Sequence, residues 1–323
     1  MRLRTIFPFG SGHVQTLFPP LLRQRPRICY ERERFELSDG DFVDLDWCAS
    51  GRPSLVILLH GLEGHSGRTY MLGMARAARI FGHDVLAMNF RGCSGEPNRH
   101  IRMYHSGWTC DVHEVLRAIQ ERAVYDEIFL VGFSLGGNVA LKYLGEDPNR
   151  VPPSVRGCVG ISVPCDLEDS AQALIKWPCQ IYTRYLIGQL RKKVLAKARL
   201  FPDALDIRGI ERITTFQQFD DRYTAPLHGF VSAREYWRKS SCKQYLQQIT
   251  LPTCIMNARN DPFLGPGCYP VSESQGHACI ELLVPETGGH VGFVPQGDGY
   301  LYWSEWRAMY FFRQCHMRTV PYG

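Results

Sequence analysis

The sequence predicts an α/β fold in which a mostly parallel sheet is covered by helices on both faces. From residue 84 onward, short apolar runs of strand length alternate with helical or longer segments, and this alternation is typical of parallel sheets. The chain has 323 residues, of which 45% are hydrophobic. It can therefore bury a large core, in one large domain or two smaller ones.

The N-terminal part of the chain precedes this alternation. Residues 1–30 are rich in proline and arginine, and we expect an irregular arm packed on the core. Residues 31–37 and 42–47 read as two strands, because the sequence between them, Ser38-Asp39-Gly40-Asp41, is typical of a tight turn. This hairpin should form an edge of the sheet.

Further strands are expected wherever an apolar run ends at a glycine or a polar loop. Helices should follow them over residues 69–81, from residue 112 to about 123, and from residue 135 onward. A closing helix carries an aromatic stripe, which we interpret as core packing rather than as a cofactor site. The predicted strands cover residues 54–60, 84–90, 128–131, 157–163, 253–257 and 279–284, and the stripe consists of Trp303, Trp306, Tyr310 and Phe311.

A long insertion interrupts the alternation between residues 164 and 249. Its largely helical pattern predicts a cap over the site, with residues 31–163 and 250–323 forming the core around it. One helical face is apolar and should line the mouth of a pocket. That face consists of Tyr182, Tyr185, Leu186 and Leu190.

The cap also contains a strongly basic segment. Residues 176–199 include seven basic side chains and no acidic one, in a chain of formal net charge +5. These side chains either contact an anionic lipid or acidic ligand, which would give peripheral membrane contact, or form an ordinary solvated helix face. The basic residues are Lys176, Arg184, Arg191, Lys192, Lys193, Lys197 and Arg199.

Composition argues against several classes of protein. No apolar stretch is long enough to cross a membrane, and Pro8 and Gly10 interrupt the N-terminal apolar run. We therefore expect a soluble, cytoplasmic protein that does not bind nucleic acid. The twelve cysteines include no C-x-x-C pair, which favours reduced and mostly buried thiols.

Histidine pairs raise the question of a metal site. His60 and His65, and then His100 and His105, are closely spaced, but neither pair has an H-E-x-x-H pattern or an adjacent carboxylate cluster. We expect neither a metal nor an organic cofactor.

The sequence around Ser134 is the main candidate for chemistry. The predicted strand over residues 128–131 passes into a helical pattern across Gly132-Phe133-Ser134-Leu135-Gly136-Gly137, which matches the G-x-S-x-G nucleophile elbow. A glycine-rich turn in a nucleotide-binding sheet is the alternative. However, no G-x-x-x-x-G-K-[ST] or G-x-G-x-x-G motif accompanies a strand here.

A serine nucleophile needs a base and a carboxylate that orients the base. Asp261 and His290 each follow a predicted strand, so both should lie at the carboxyl edge of the sheet beside Ser134. Asp166 competes for the carboxylate role, although it could equally cap the first helix of the insertion.

Ester attack also creates an oxyanion, which needs fixed backbone donors. The N–H groups of Leu135, directly after the serine, and of Leu62, in the turn after residues 54–60, are the candidates. His60 is expected to shape this turn rather than take part in chemistry.

Several motifs in this order resemble the YheT-type branch of the α/β-hydrolase family. They are GHVQTLFP, SDGDFVDLDW, HGLEG, NFRGCSGEPNR, YHSG, GFSLGGN, FDDRYTAPLHGF, NARNDPF and GGHVGF. The resemblance implies an eight-stranded sheet with a helical cap, a triad at Ser134, Asp261 and His290, and carboxylic-ester hydrolysis. Eukaryotic relatives act on short- or medium-chain acyl esters or on phospholipids, and some transfer acyl groups to alcohols.

Together these observations predict a serine carboxylesterase that acts on a small acyl ester of short to medium chain length through an acyl-enzyme. An acyltransferase with the same triad is an alternative. It is less well supported, because an H-x-x-x-x-D motif associated with acyl transfer is not cleanly present around His105 and Asp111. A non-catalytic lipid-binding or partner-binding protein of the same fold is the other alternative.

Overall fold

The computed structural model describes residues 8–294 and 301–319. The first seven residues of the expected N-terminal arm lie outside this part of the chain. The described residues form an eight-stranded sheet in the order β1-β2-β4-β3-β5-β6-β7-β8. The strands are β1 (Glu31–Glu36), β2 (Phe42–Cys48), β3 (Ser54–Leu59), β4 (Asp84–Asn89), β5 (Glu127–Phe133), β6 (Val155–Ile161), β7 (Thr253–Met256) and β8 (Ile280–Leu283).

The strands are mostly parallel, as predicted. β1 pairs with β2 and β2 with β4 in antiparallel fashion, so the N-terminal hairpin forms one edge of the sheet. All the other neighbouring strands are parallel. At the carboxyl end of the central strand β5, Gly132 pairs with Leu59 of β3 and with Gly160 of β6. The loops after these strands therefore meet at one edge of the sheet.

Helices cover both faces of the sheet and bury two separate cores. On one face, the apolar sides of α3 and α4 pack on strand residues such as Ile57 and Leu130. On the other face, α2 and α11 pack on Val56 and Phe129. The helices are α1 (Gly12–Leu22), α2 (Thr69–Ile80), α3 (Cys110–Arg122), α4 (Leu135–Glu146), α5 (Leu167–Ile175), α6 (Gln180–Leu200), α7 (Phe216–Phe219), α8 (Ala225–Leu227), α9 (Ala233–Ser240), α10 (Val271–Ser274) and α11 (Trp303–Thr319).

The prediction of an irregular N-terminal arm is wrong for residues 12–22, which form α1. Ser11 precedes the helix with extended backbone, and its hydroxyl accepts a hydrogen bond from the Val14 N–H, as an N-cap residue does. Pro19 and Pro20 lie in the last turns. The prolines that suggested irregular structure instead lie close to the point where the helix ends.

The insertion between β6 and β7 is a helical cap. Its long helix α6 buries Ile187 and Val194 in a cluster with Phe219 and Tyr223 from later cap segments. A second cluster joins Leu167 of α5 to residues of α9. Both clusters are small, and the first also contains Met103 and contacts Leu62, so it joins the cap to the core.

The aromatic stripe of α11 packs only in part. Phe311 is buried in the core and Trp303 packs against it, but Tyr310 is exposed and stacks on Trp306 with ring centroids 5.1 Å apart. The core-packing prediction is therefore wrong for Tyr310. Neighbouring helical positions are rotated by about 100°, so Phe311 and Tyr310 cannot both face the sheet.

Two further features bear on the predictions from composition. All twelve cysteines are free thiols, and most of them are buried, as predicted. Among the described residues, no helix combines the length and apolar character required to traverse a bilayer.

Candidate active site

Ser134 lies at the turn between β5 and α4. Its backbone has φ 51° and ψ −119°, a conformation that costs a non-glycine residue on the order of 1–3 kcal/mol. The strain is held in place by a hydrogen bond from the Ser134 N–H to the Ile161 carbonyl (2.8 Å) and by another from the Asn138 N–H to the Ser134 carbonyl (3.0 Å). The predicted nucleophile elbow is therefore present as a strand-to-helix turn.

Close backbone packing explains the two glycines that flank this turn. A Cβ at Gly132 would overlap the backbone of Gly136 and Gly137, and a Cβ at Gly136 would overlap the carbonyl oxygens of Leu59 and His60. The start of α4 thus lies directly against the ends of β3 and β5. Any side chain at these two positions would push the serine away from the sheet.

The three predicted triad side chains form a continuous hydrogen-bonded chain. His290 Nε2 lies 3.0 Å from Ser134 Oγ, and His290 Nδ1 lies 3.0 Å and 3.1 Å from the two carboxylate oxygens of Asp261. The Asp261 carboxylate is fully buried, and its Oδ1 also accepts a hydrogen bond from the Phe263 N–H (2.9 Å). A buried acceptor at Nδ1 favours the tautomer with the proton on Nδ1, which leaves Nε2 free to accept the serine proton.

Asp166 lies elsewhere and has another role. It is the N-cap of α5, where its carboxylate accepts a hydrogen bond from the Asp169 N–H (3.1 Å). This is the helix-capping alternative that its sequence context suggested.

The loop that carries His290 is held by residues that the sequence analysis did not identify. The His290 N–H donates to Thr16 Oγ1 (2.9 Å), and the Val294 N–H donates to Oε1 of the buried Gln15 (3.1 Å). Both acceptors belong to α1. The N-terminal helix therefore supports the base of the candidate triad.

Two further supports come from the loops after β6 and β7. The Val291 N–H donates to Ser162 Oγ (2.9 Å), and Asn260 Oδ1 accepts from the N–H groups of Gly288 and Gly289, each at 3.0 Å. The ring of Phe263 stacks on the imidazole of His290, with centroids 4.0 Å apart and planes 11° apart. The proximity of Asn260 and Phe263 to Asp261 in the sequence is the one signal that could have identified them.

The two candidate oxyanion residues lie beside the serine. Leu62 and Leu135 line the same cavity as Ser134 and His290. Leu135 is the first residue of α4, so its N–H has no acceptor within the helix. The turn that contains Leu62 approaches closely, because a Cβ at Gly61 would lie 3.3 Å from the Cβ of Ser134.

His60 has the structural role that was predicted for it. It is completely buried, its Nδ1 lies 2.7 Å from the Gly61 carbonyl, and its Nε2 accepts a hydrogen bond from the Phe90 N–H (3.1 Å). Burial lowers the pKa of His60 to about 3. A neutral imidazole therefore ties the turn after β3 to the end of β4.

A cavity of about 670 Å³ opens above Ser134. Its walls come from the core, the cap and α1, and they are predominantly apolar. The predicted apolar face of α6 is among them, with Tyr182, Tyr185, Leu186 and Leu190. The volume lies within the range of about 300–1,000 Å³ that is usual for small-molecule sites.

Some polar side chains line the part of the cavity that belongs to the cap. Asp220 is buried, accepts hydrogen bonds from Thr224 Oγ1 (2.6 Å) and Trp237 Nε1 (2.8 Å), and has a pKa raised by burial to about 7. His105, which belongs to the core, lines the cavity as well, and burial lowers its pKa well below the usual value. Asp111 does not line it and instead binds Arg91 through both carboxylate oxygens.

The basic residues of the cap fall into two groups. Lys176, Arg184, Lys192 and Arg199 are exposed, in agreement with a solvated face. Arg191, Lys193 and Lys197 are not exposed, and for these three the interpretation as a solvated face is wrong. Arg191 donates to the Ile213 carbonyl. Lys197 Nζ donates to the carbonyls of Asn98 and His100 (2.5 Å each), and Lys193 Nζ lies 2.8 Å from Glu63 Oε1.

Comparison with known proteins identifies the family. A family model described as the alpha/beta hydrolase fold matches residues 54–295. The chain belongs to the α/β-hydrolase family. It is also 38% identical over 293 residues to the YheT protein of Escherichia coli (strain K12), whose name describes it as a candidate esterase; the match covers 88% of this chain and 85% of YheT. The predicted resemblance to the YheT-type branch is therefore confirmed.

More distant relatives of this hydrolase have lipid-related names. It is 28% identical over 308 residues to the human monoacylglycerol lipase ABHD2, covering 88% of this chain and 72% of the relative. It is 26% identical over 293 residues to the mouse phospholipase ABHD3, covering 87% and 70%. The comparisons thus group this chain with hydrolases and esterases of the family.

Solved structures share the fold of this hydrolase. An esterase of Pyrococcus furiosus, Pf2001, superposes with a TM-score of 0.61 at 17% identity, covering 92% of this chain and 97% of the esterase. The esterase Est1E of Butyrivibrio proteoclasticus, solved with ferulic acid, gives a TM-score of 0.57 at 13% identity, covering 88% and 99%. These likenesses support the predicted α/β-hydrolase fold.

Proposed function

We propose that the chain is a serine carboxylesterase that hydrolyses short- to medium-chain acyl esters through an acyl-enzyme. The hydrogen-bonded chain from Ser134 through His290 to Asp261, at the base of an apolar cavity, is the observation that carries this proposal. The esterase and lipase names of the relatives support it.

In the first half of the reaction, Ser134 Oγ attacks the ester carbonyl while His290 Nε2 takes the serine proton. The buried Asp261 carboxylate stabilises the imidazolium that forms. The N–H groups of Leu62 and Leu135 donate to the oxyanion, and one such donor typically contributes about 3–4 kcal/mol to transition-state stabilisation. His290 then protonates the departing alcohol, which leaves the acyl group on Ser134.

In the second half, water attacks the acyl-enzyme while His290 Nε2 accepts a proton from it. The tetrahedral intermediate collapses, the acid leaves, and the proton returns to Ser134 Oγ. An alcohol in the place of water would yield a new ester, which is the acyltransferase alternative with the same residues.

The apolar cavity supports the choice of an acyl substrate. Its side chains from α5 and α6, such as Leu174, Ile181 and Leu186, can pack against an alkyl chain, and each buried methylene adds about 0.8 kcal/mol to binding. A chain that fills the cavity should therefore bind more tightly than an acetyl group.

The decisive experiment is turnover of p-nitrophenyl esters across a series of chain lengths by the native protein and by Ser134→Ala, with and without ethanol. We expect turnover in the native protein, none in the variant, and covalent labelling of Ser134 by a fluorophosphonate. An ethyl ester instead of free acid would favour acyl transfer. Equal turnover in Ser134→Ala would refute the proposal, and failure of the native protein to label would favour a non-catalytic binding role.

A further inference from the structure

Two segments beside the cavity expose large apolar side chains to solvent. α1 contributes three of them, and the end of α5 with the start of α6 contributes four. Leu21 is 72% exposed and Trp177 is 78% exposed, although side chains of this size usually become buried on folding. We call these residues the rim patch: Leu17, Leu21, Leu22, Ile175, Trp177, Ile181 and Tyr185.

The two segments are direct neighbours. A hydrogen bond between His13 Nδ1 and the Tyr182 hydroxyl (3.0 Å) joins α1 to α6, and the two rings are stacked with centroids 5.8 Å apart. The exposed side chains that follow on each helix therefore belong to one continuous surface. Leu17 and Leu21 lie on one side of it, and Ile181 and Tyr185 on the other.

The rim patch surrounds the opening of the cavity. Leu17, Leu21, Ile181 and Tyr185 are all at least 44% exposed, yet they line the same cavity as Ser134. A side chain that faces both solvent and the interior of a cavity marks where the cavity opens. Apolar residues at such an opening, instead of the usual polar ones, indicate an interaction surface.

Charge indicates what this surface meets. Lys176 and Arg184 are exposed and alternate with Trp177, Ile181 and Tyr185 along the chain, and no acidic residue occurs between residues 176 and 199. Exposed cations beside exposed apolar side chains fit a lipid surface that is anionic outside and apolar below. A second copy of this chain fits less well, because a symmetric interface would bring the same cations together.

We propose that the rim patch docks on an anionic lipid bilayer and turns the opening of the cavity toward the lipid. The surface that docks is the junction of α1 and the first turns of α6, and not the whole basic segment of the cap, since Lys193 and Lys197 bind the core. That the ester substrate enters from the membrane rests on the proposed esterase function. Docking itself does not require catalysis.

The test measures sedimentation of the Ser134→Ala protein with vesicles of equimolar phosphatidylcholine and phosphatidylserine, and with vesicles of phosphatidylcholine alone. The probe variants are Leu22→Glu and Trp177→Glu, whose side chains are not among those that line the cavity. Val231→Glu is the matched control, because Val231 is in the cap, 89% exposed and outside the rim patch. Circular dichroism checks that each variant is folded.

We expect binding to the mixed vesicles, at least about tenfold weaker binding for each probe variant, and unchanged binding for Val231→Glu. Lys176→Glu should reduce the preference for anionic vesicles, whereas Arg212→Glu, a change of the same charge at an exposed cap residue, should not. Absence of binding by the parent protein, or an equal loss in Val231→Glu, would overturn the proposal. So would a parent protein that is dimeric in sedimentation velocity and becomes monomeric with Leu22→Glu.

Failure of docking can be told apart from failure of the proposed function. Turnover of a water-soluble p-nitrophenyl butyrate by the protein with Ser134 intact needs no membrane. If this turnover is absent while vesicle binding occurs, the esterase proposal fails and docking stands. If turnover is present without vesicle binding, the docking proposal fails alone.

Discussion

Lys193 Nζ on cap helix α6 lies 2.8 Å from Oε1 of Glu63, the residue directly after the candidate oxyanion residue Leu62. Both side chains are about nine-tenths buried, with exposures of 12% and 10%. Tyr104 completes the arrangement, because its hydroxyl donates to Glu63 Oε1 (2.8 Å) and accepts from the Glu63 N–H (2.7 Å). The cap therefore holds the loop that carries the candidate oxyanion donor Leu62.

Lys193→Met should lower kcat by about tenfold while the KM for a short ester changes little. Removal of the cation leaves the Glu63 carboxylate buried without a positive charge beside it, which typically costs about 3–5 kcal/mol of stability. The loop with Leu62 can move to relieve this cost. Steady-state kinetics with p-nitrophenyl butyrate measure the effect. Lys192→Met, which changes an exposed neighbour on α6, is the control, and a similar loss of kcat in both variants would contradict the role of Lys193.

Asp261→Asn should reduce kcat by about four orders of magnitude, because an amide stabilises the wrong imidazole tautomer and no longer balances the imidazolium. Asp166→Asn should leave kcat unchanged, since Asn caps a helix about as well as Asp. Burst kinetics and thermal unfolding of both variants separate catalysis from stability. A large loss of kcat in Asp166→Asn alone would reverse the assignment of the carboxylate.

Gly136→Ala should prevent folding or greatly lower the free energy of unfolding, because the added methyl group would overlap the carbonyl oxygens of Leu59 and His60. Gly188→Ala on α6 provides the comparison: nothing lies within 4 Å of the position of the new methyl group, and replacing a helical glycine by alanine stabilises by about 0.5–1 kcal/mol. Chemical unfolding of the two variants tests both statements. A Gly136→Ala protein as stable as the native one would rule out the close packing at the elbow.

The buried Asp220 should make stability depend on pH. In the unfolded chain, Asp220 loses its proton near the ordinary aspartate pKa of 3.8, whereas burial raises the pKa of this carboxyl in the folded protein to about 7. At pH values between these two pKa values, the folded state binds more protons than the unfolded state. The free energy of unfolding therefore decreases as the pH rises through this range. Asp220→Asn removes this dependence.

Urea unfolding at pH 5 and pH 8 measures this effect of Asp220. Relative to Asp220→Asn, the native protein should lose about 2–3 kcal/mol of stability between the two pH values. Subtracting the variant cancels contributions from the other titrating groups. A constant difference between native protein and variant would show that Asp220 ionises at its usual pKa.

Local patterns predicted most of the fold and the three residues of the candidate triad. The apolar strands, the turn at Ser134, and the polar residues in the loops after β7 and β8 can each be read from a few consecutive residues. The parallel order of the strands then brings Asp261 and His290 to the carboxyl edge of the sheet. Because the strand topology alone places these two residues near Ser134, their proximity could be predicted without knowledge of side-chain packing.

What could not be predicted depends on contacts between distant parts of the chain. Lys193 and Lys197 look like their exposed neighbours in the sequence, and only the packing of the cap on the core shows that they are buried. Similarly, the composition of residues 12–22 suggested an irregular arm, and their role depends on a loop 274 residues away. The composition of a segment does not predict which distant part of the chain the segment will contact.

The contacts of α1 have a consequence for biosynthesis. Gln15, Thr16 and Arg23 bind Val294, His290 and Glu305, so this helix docks on elements that are synthesised 274 to 282 residues later. The sheet can assemble on the growing chain, as domains do during translation, but this helix can dock only after the loop with His290 and the start of α11 have been synthesised. The support that α1 gives to His290 of the candidate triad is therefore among the last contacts of this fold to form during translation.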